Sequence, residues 1–281
     1  MSFRASISII RPLNCAMIGF AVIVGAFVSK PQSLTFQNLF LGFLTGFSIC
    51  AYSMVINDIY DIEVDRVNQP IRPLPSGRMA SRDAGFLSIF MLAIGVICSI
   101  LTGRLLAVAV ALSYAFLSWI YNFRAKKYGL VGNVIVASSL AIPFIYGGVI
   151  ALGQILNSLL LIMALTSFLA GVGREVVKAM ADTAGDANRG VRSVAISRGM
   201  RSASAVGAGL FLSAILTSLI PVIEGFASQL YMFGVLIPDI IFIYLAVSIL
   251  RRPAPENALS VKKKALFGML IGLVVFIGGA F

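Results

Sequence analysis

Histidine is absent from the 281 residues. Its absence removes the commonest general base, any Ser-His-Asp triad and any imidazole-held metal. Cysteine is scarce. Cys15, Cys50 and Cys98 all fall inside apolar blocks, at spacings that fit neither a zinc site nor a disulfide framework. Charged residues make up only 12% of the chain, against about 25% in a soluble domain. Negative charge is scarcer still, with 11 Asp and Glu against 22 Lys and Arg. In a soluble protein that excess would suggest nucleic acid. Here the basic residues sit between apolar blocks, so membrane topology accounts for them. No nucleic acid and no protein partner is expected. The first apolar block lacks a small-residue cleavage site and more such blocks follow, so no cleavable signal peptide is expected.

What the sequence has is long hydrophobic runs, with 59% of residues hydrophobic. Leu39 to Ile56 is 18 residues without a charge, and Leu105 to Phe123 is 19. About 20 apolar residues cross the hydrocarbon core as a helix, and only a helix satisfies an open backbone in lipid. The expected class is therefore all-α, a polytopic bundle in the cell membrane within a single domain, residues 1–281. Nine spans are expected, at 12–29, 37–56, 83–102, 105–122, 131–150, 155–174, 203–221, 230–250 and 265–281. All Lys and Arg but Lys30 and Arg104 then fall on one side. By the positive-inside rule that side and the N-terminus are cytoplasmic. All acids but Glu224 and Asp239 lie on the same side, and topology does not require that.

The gap after the second span reads Asn57-Asp58-Ile59-Tyr60-Asp61-Ile62-Glu63-Val64-Asp65. Asn57, Asp61 and Asp65 are spaced i, i+4, i+8 and line one face of a helix that continues past the span. Like charges four apart destabilise a bare helix, so a cation is expected among them. Mg²⁺ takes one or two carboxylates and completes its shell with substrate phosphate and water, which suits this face. After the sixth span Lys178, Asp182 and Asp186 repeat the spacing, and Asn57-xxx-Asp61 and Asp182-xxx-Asp186 lie 125 residues apart. This register suggests a duplicated four-helix unit whose two acidic faces converge on one diphosphate.

At these residues the chain resembles the UbiA superfamily of intramembrane prenyltransferases. Asn57, Asp58, Asp61 and Asp65 match its N-D-x-x-D-x-x-x-D metal motif, and Asp182 and Asp186 match its second D-x-x-x-D. The resemblance covers essentially the whole chain. It implies nine helices around a central cavity capped by the acidic loops, Mg²⁺ as cofactor, a prenyl diphosphate donor and a lipid-soluble acceptor. Asp61, Asp65, Asp182 and Asp186 would carry the chemistry. Arg72-Pro73-Leu74-Pro75-Ser76-Gly77 resembles the segment that follows the first motif, with Arg72 placed over the diphosphate. Tyr121, Arg124 and Lys126 resemble the tyrosine and basic residues after the fourth helix. Tyr121 reads equally as an aromatic-belt anchor, and Lys126 and Lys127 as topology signals. Arg11-Pro12-Leu13-Asn14 resembles the opening of an archaeal branch that transfers geranylgeranyl to geranylgeranylglyceryl phosphate, making the second ether bond of archaeal membrane lipid. Arg11 either contacts an anionic acceptor, with Asn14 beside it, or snorkels. Ala179 stands where many members carry an acid after the lysine of the second motif. Two other readings stay open, an aromatic acceptor of the 4-hydroxybenzoate kind and a cation-coupled transporter. A transporter calls for acids near the bilayer midplane. Asp239 beside Pro238 is either an intramembrane acid, and so a functional candidate, or an interfacial residue of a span that starts later, and it is left out of the site.

Overall fold

The computed structural model describes residues 3–29, 34–154, 157–188, 190–225 and 227–279. Among them there is helix and no strand. The helices are α1 (Phe3–Ile10), α2 (Pro12–Val28), α3 (Phe36–Tyr60), α4 (Ile62–Asn68), α5 (Ser81–Leu101), α6 (Leu105–Phe123), α7 (Leu130–Leu152) and α8 (Ser158–Ala181). They continue as α9 (Thr183–Asn188), α10 (Val194–Ile223), α11 (Gln229–Gly234), α12 (Leu236–Arg251) and α13 (Pro255–Gly278). The chain is a multi-pass membrane protein. Seven helical segments are long and apolar enough to cross a bilayer: α3, α5, α6, α7, α8, α10 and the α11–α12 pair. An eighth is the pair α1 and α2, bent by 49° at Arg11. α13 is as long as the others but carries Lys262, Lys263 and Lys264 in its first half. The short helices α1, α4, α9 and α11 are additions to the expected plan. Lys30 and Arg189, which entered the charge sorting, lie outside the described residues, as do the last two residues of the expected ninth span.

Local sequence explains the breaks. Thr35, Asn157, Ser193 and Ser228 each accept a backbone N–H through the side-chain oxygen at a helix start, satisfying a donor the helix leaves free. Gly199 interrupts α10 with φ +84°, a conformation open to glycine and costly for other residues.

In lipid the helices gain no hydrophobic drive against one another, so small residues that allow close approach set the packing. α2 and α7 meet at Gly25 and Gly147. A Cβ on Gly25 would run into the Phe144 carbonyl, and one on Gly147 into that of Val22. α8 and α10 meet at Gly173 and Gly207, where a Cβ on Gly173 would lie 2.9 Å from the Phe211 ring. Large side chains such as Phe86, Ile89, Phe90, Leu216, Ile240 and Phe267 stay exposed on the outside, as a lipid-facing surface requires.

The helix order repeats. α2, α3, α5 and α6 are followed in the same order by α7, α8, α10 and α12. α3 packs on α5 as α8 packs on α10, and α2 on α3 as α7 on α8. The ends of α3 and α8 therefore come to equivalent places, and these ends carry the acidic motifs.

Candidate functional site

α3 does not continue through its motif. It stops at Tyr60, Asp61 takes φ −97° and ψ 3°, and α4 resumes at Ile62. The expected single face survives the break, because the Asp61 N–H still donates to the Asn57 carbonyl (3.0 Å) and the Asp65 N–H to that of Asp61 (2.8 Å). α8 ends in the same manner, with Asp182 as its cap and Asp186 inside α9. Asp182 N–H donates to Lys178 (3.1 Å) and Asp186 N–H to Asp182 (2.9 Å).

Cationic side chains of the protein already stand among the acids of the first motif. Arg11 and Arg72 both reach Asp58 Oδ1, at 2.5 Å and 3.5 Å, and Arg72 Nη1 also donates to Asp65 Oδ2 at 2.5 Å. Lys126 donates to Asp61 Oδ2, and to Asn57 Oδ1 at 3.2 Å. Asn57 Nδ2 in turn donates to Asp61 at 3.1 Å. Asp58 is 3% exposed, so its charge depends on those two guanidinium groups, since an unpaired carboxylate there would be strongly disfavoured.

Arg11 carries a cost of its own. It is the only non-glycine with positive φ (52°) among the described residues. Such a conformation stores of order 1 kcal/mol and persists where the surroundings impose it. The surroundings here are the α1–α2 bend, Asp58, and Met54, whose sulfur accepts from Nη1 at 3.4 Å. Asn14 lies one turn further along α2, half-buried.

The turn at Ala125–Tyr128 links the two motifs. Its Lys126 is held by the first, and its Lys127 carbonyl accepts from Arg192 N–H at 3.4 Å, in the loop after the second. Gly129 closes the turn with φ +50°, where a Cβ would strike the Arg192 carbonyl. Tyr121, under Lys126 at 5.9 Å from ring centre to nitrogen, has Lys178, Glu175, Asp61 and Asp186 as electrostatic neighbours. It therefore stands between the motifs and not out in the membrane interface. Asp182 is exposed and Asp186 half-buried. Arg124 caps α6 at the surface and makes no ion pair with the acids among the described residues.

Sequence reasoning missed Glu175 and Arg174. Glu175 is 6% exposed and accepts from Arg174 Nη1 and Lys178 Nζ, each at 2.8 Å. The i, i+3 spacing of Glu175 and Lys178 was the available signal. Asp239 is not interfacial. It is buried in α12, and the Ser218 hydroxyl faces both its oxygens at 3.0 Å.

Below the acidic end lies an apolar pocket between α2, α7, α8, α10, α12 and α13. A smaller one lies between α2, α3, α6 and α7, and Ile18 lines both. The acids of the motifs line neither pocket. Met17 in the larger one is six residues along α2 from Arg11, roughly 9 Å at 1.5 Å per residue.

The donors at the acidic end are all hard oxygens: the amide of Asn57 and the carboxylates of Asp61, Asp65, Asp182 and Asp186. No three acids gather closely enough among the described residues to enclose an ion by themselves. Mg²⁺ does not need that, because substrate phosphate and water fill most of its octahedron. The residues fit such an ion.

Known proteins resemble this chain throughout its length. Digeranylgeranylglyceryl phosphate synthase of Archaeoglobus fulgidus is 34% identical, with 99% of this chain and 96% of that one aligned. Its counterpart in Sulfolobus acidocaldarius is 35% identical over 96% of this chain and 97% of its own. A solved structure of a digeranylgeranylglyceryl phosphate synthase superposes with TM-score 0.81 at 33% identity, covering 99% of this chain and 98% of the other. A more distant fold relative, an Archaeoglobus fulgidus UbiA homolog bound to DMAPP and Mg²⁺, superposes with TM-score 0.68 at 17% identity, covering 96% and 98%. The UbiA prenyltransferase family model matches residues 18–280, both acidic motifs included, and the chain belongs to that family.

Proposed function

We propose that this prenyltransferase moves a geranylgeranyl group from geranylgeranyl diphosphate to the free hydroxyl of geranylgeranylglyceryl phosphate, forming the second ether bond of archaeal membrane lipid. The observation that carries this reading is the full-length similarity, above 30%, to several digeranylgeranylglyceryl phosphate synthases. The reaction takes place at the acidic end of a nine-span bundle, in which α13 is the last span and the two motifs descend from a duplicated four-helix unit. That end faces the cytoplasm.

Asn57, Asp61, Asp65, Asp182 and Asp186 would hold Mg²⁺, which when bound would supply positive charge against the diphosphate leaving group. The side chains of the site do the rest. Arg72, Lys126 and Lys178 already stand among the acids, and they add positive charge where leaving-group charge grows. Tyr121 stands between the motifs and holds the Lys126 turn against them. The bundle below is apolar, so water that would capture an allylic cation is kept away. Its aromatic rings attract that cation. With no histidine in the chain, the hydroxyl proton goes to Asp65, to Asp182 or to the released diphosphate. The motif acids cluster at one end, whereas a cation-coupled transporter would place its coupling acids near the midplane.

The test is incubation of the purified protein with radiolabelled geranylgeranyl diphosphate and each acceptor separately. Diether phosphate is expected, with activity lost to chelator and restored by Mg²⁺. Prenylated 4-hydroxybenzoate without any diether would overturn the reading.

A further inference from the structure

The first motif is electrostatically balanced. Arg11 and Arg72 answer Asp58 and Asp65, and Lys126 answers Asp61. The cluster one turn deeper is not. Glu175 faces Arg174 and Lys178 at 2.8 Å each. Lys262 stands on α13, which packs on α8 with the adjacent Val261 in one apolar cluster with Val176 and Val177 and brings this third cation within reach of Glu175. The phenol of Tyr121 lies beside Lys178, and Asp61 and Asp186 are among its other neighbours. Two cations thus pair with one buried carboxylate and a third stands on the helix packed beside it. Arg174 Nε, moreover, is buried and has no hydrogen-bond partner. A buried donor left unsatisfied is costly, and a strong external acceptor would remove that cost.

We propose that Arg174, Lys178 and Lys262, gathered around Glu175, form a second anion site that takes the phosphate of the acceptor. The proposal rests on the reaction assigned above. Depth supports it. Arg174, Lys178 and Asp182 are spaced i, i+4, i+8 on one face of α8, so the two cations lie roughly 12 and 6 Å further into the bundle than Asp182. The acids hold the diphosphate at the mouth of the site. The acceptor hydroxyl must then approach the reacting carbon from the bundle side. Its phosphate is only a few bonds from that hydroxyl, which brings it to the level of these cations. Arg174 offers the planar fork that suits phosphate oxygens, and Lys178 is shared with the donor side.

Lys262→Met and Arg174→Gln test the site, with Lys263→Met on the exposed face beside it as the control. Both test variants are expected to raise KM for geranylgeranylglyceryl phosphate about tenfold or more while KM for the diphosphate holds, since a contact to a charged group is worth at least that factor. The wild type is expected to discriminate against geranylgeranylglycerol lacking the phosphate, and Lys262→Met to narrow that gap. If KM for the donor rises instead, or neither KM moves, the second anion site is refuted. Lys262 is only half-buried, so that variant decides even if Arg174→Gln fails to fold. A wild type that makes no diether at all would overturn the assigned reaction and not this site alone.

Discussion

Asp61 caps α3 at its break, and Asp186 lies four residues beyond the matching cap of α8, Asp182. Neither packs in the core. The Asp61 side chain is 14% exposed at a helix junction, and Asp186 is half-buried in a short helix. Replacing either with asparagine removes charge and little packing. Asp61→Asn and Asp186→Asn are each expected to cut kcat by about a hundredfold or more, the cost of losing one preorganised electrostatic partner. Thermal unfolding of the detergent-solubilised protein should stay within a few degrees of the parent. A fully active Asp61→Asn protein would sink the site assignment. Asp58 differs from its motif neighbours, because two arginines engage it and it is nearly sealed from solvent. Its spacing leaves it off the i, i+4, i+8 face of Asn57, Asp61 and Asp65 but does not say what it meets. That distinction depends on Arg11, 47 residues earlier in the chain.

At the scale of the helix, glycines decide how closely the elements approach. The α2–α7 crossing leaves no room for a Cβ at Gly25 or Gly147, and the obstacle at each is backbone, which cannot move aside as a side-chain tip can. Gly147→Leu is therefore expected to destabilise the bundle by at least about 1–3 kcal/mol, the range for overpacking. Lower thermal stability and early aggregation in detergent would report it. Gly209 has open space where a Cβ would be, so Gly209→Ala should leave stability unchanged. Equal melting of the two variants would show that the crossing is looser than described. Spans such as α5 and α6 were legible in the sequence to within a residue or two, because a long uncharged run has no other stable form in lipid. The short helices α4 and α9 were not. Each follows a break at an aspartate, Asp61 or Asp182, and periodicity over six or seven residues carries too little signal.

For the whole molecule, the charge sorting makes a directional claim. Ser76 lies in the loop after the first motif and Gln154 lies beyond α7, and both are exposed. The native cysteines are buried, so they should react slowly and need not be removed. Single Ser76→Cys and Gln154→Cys variants in sealed vesicles are expected to label from opposite sides, with Ser76→Cys reached from the cytoplasm. Labelling of both from one side would break the nine-span topology.

The sequence by itself determined the membrane character, the all-helical class, the family and the two acidic motifs. These are written in composition and in short local spacings, where the physics of lipid and of i, i+4 neighbours needs no partner from elsewhere in the chain. Only the tertiary structure decided which cation meets which acid. Lys126 on Asp61, Arg11 on Asp58 and Lys262 near Glu175 each join residues far apart in sequence. Such pairs exist only after helices that carry no mark of their partners have packed together. The same holds for Asp239, which sequence left between the interface and the interior of a span and packing placed against Ser218 inside the bundle.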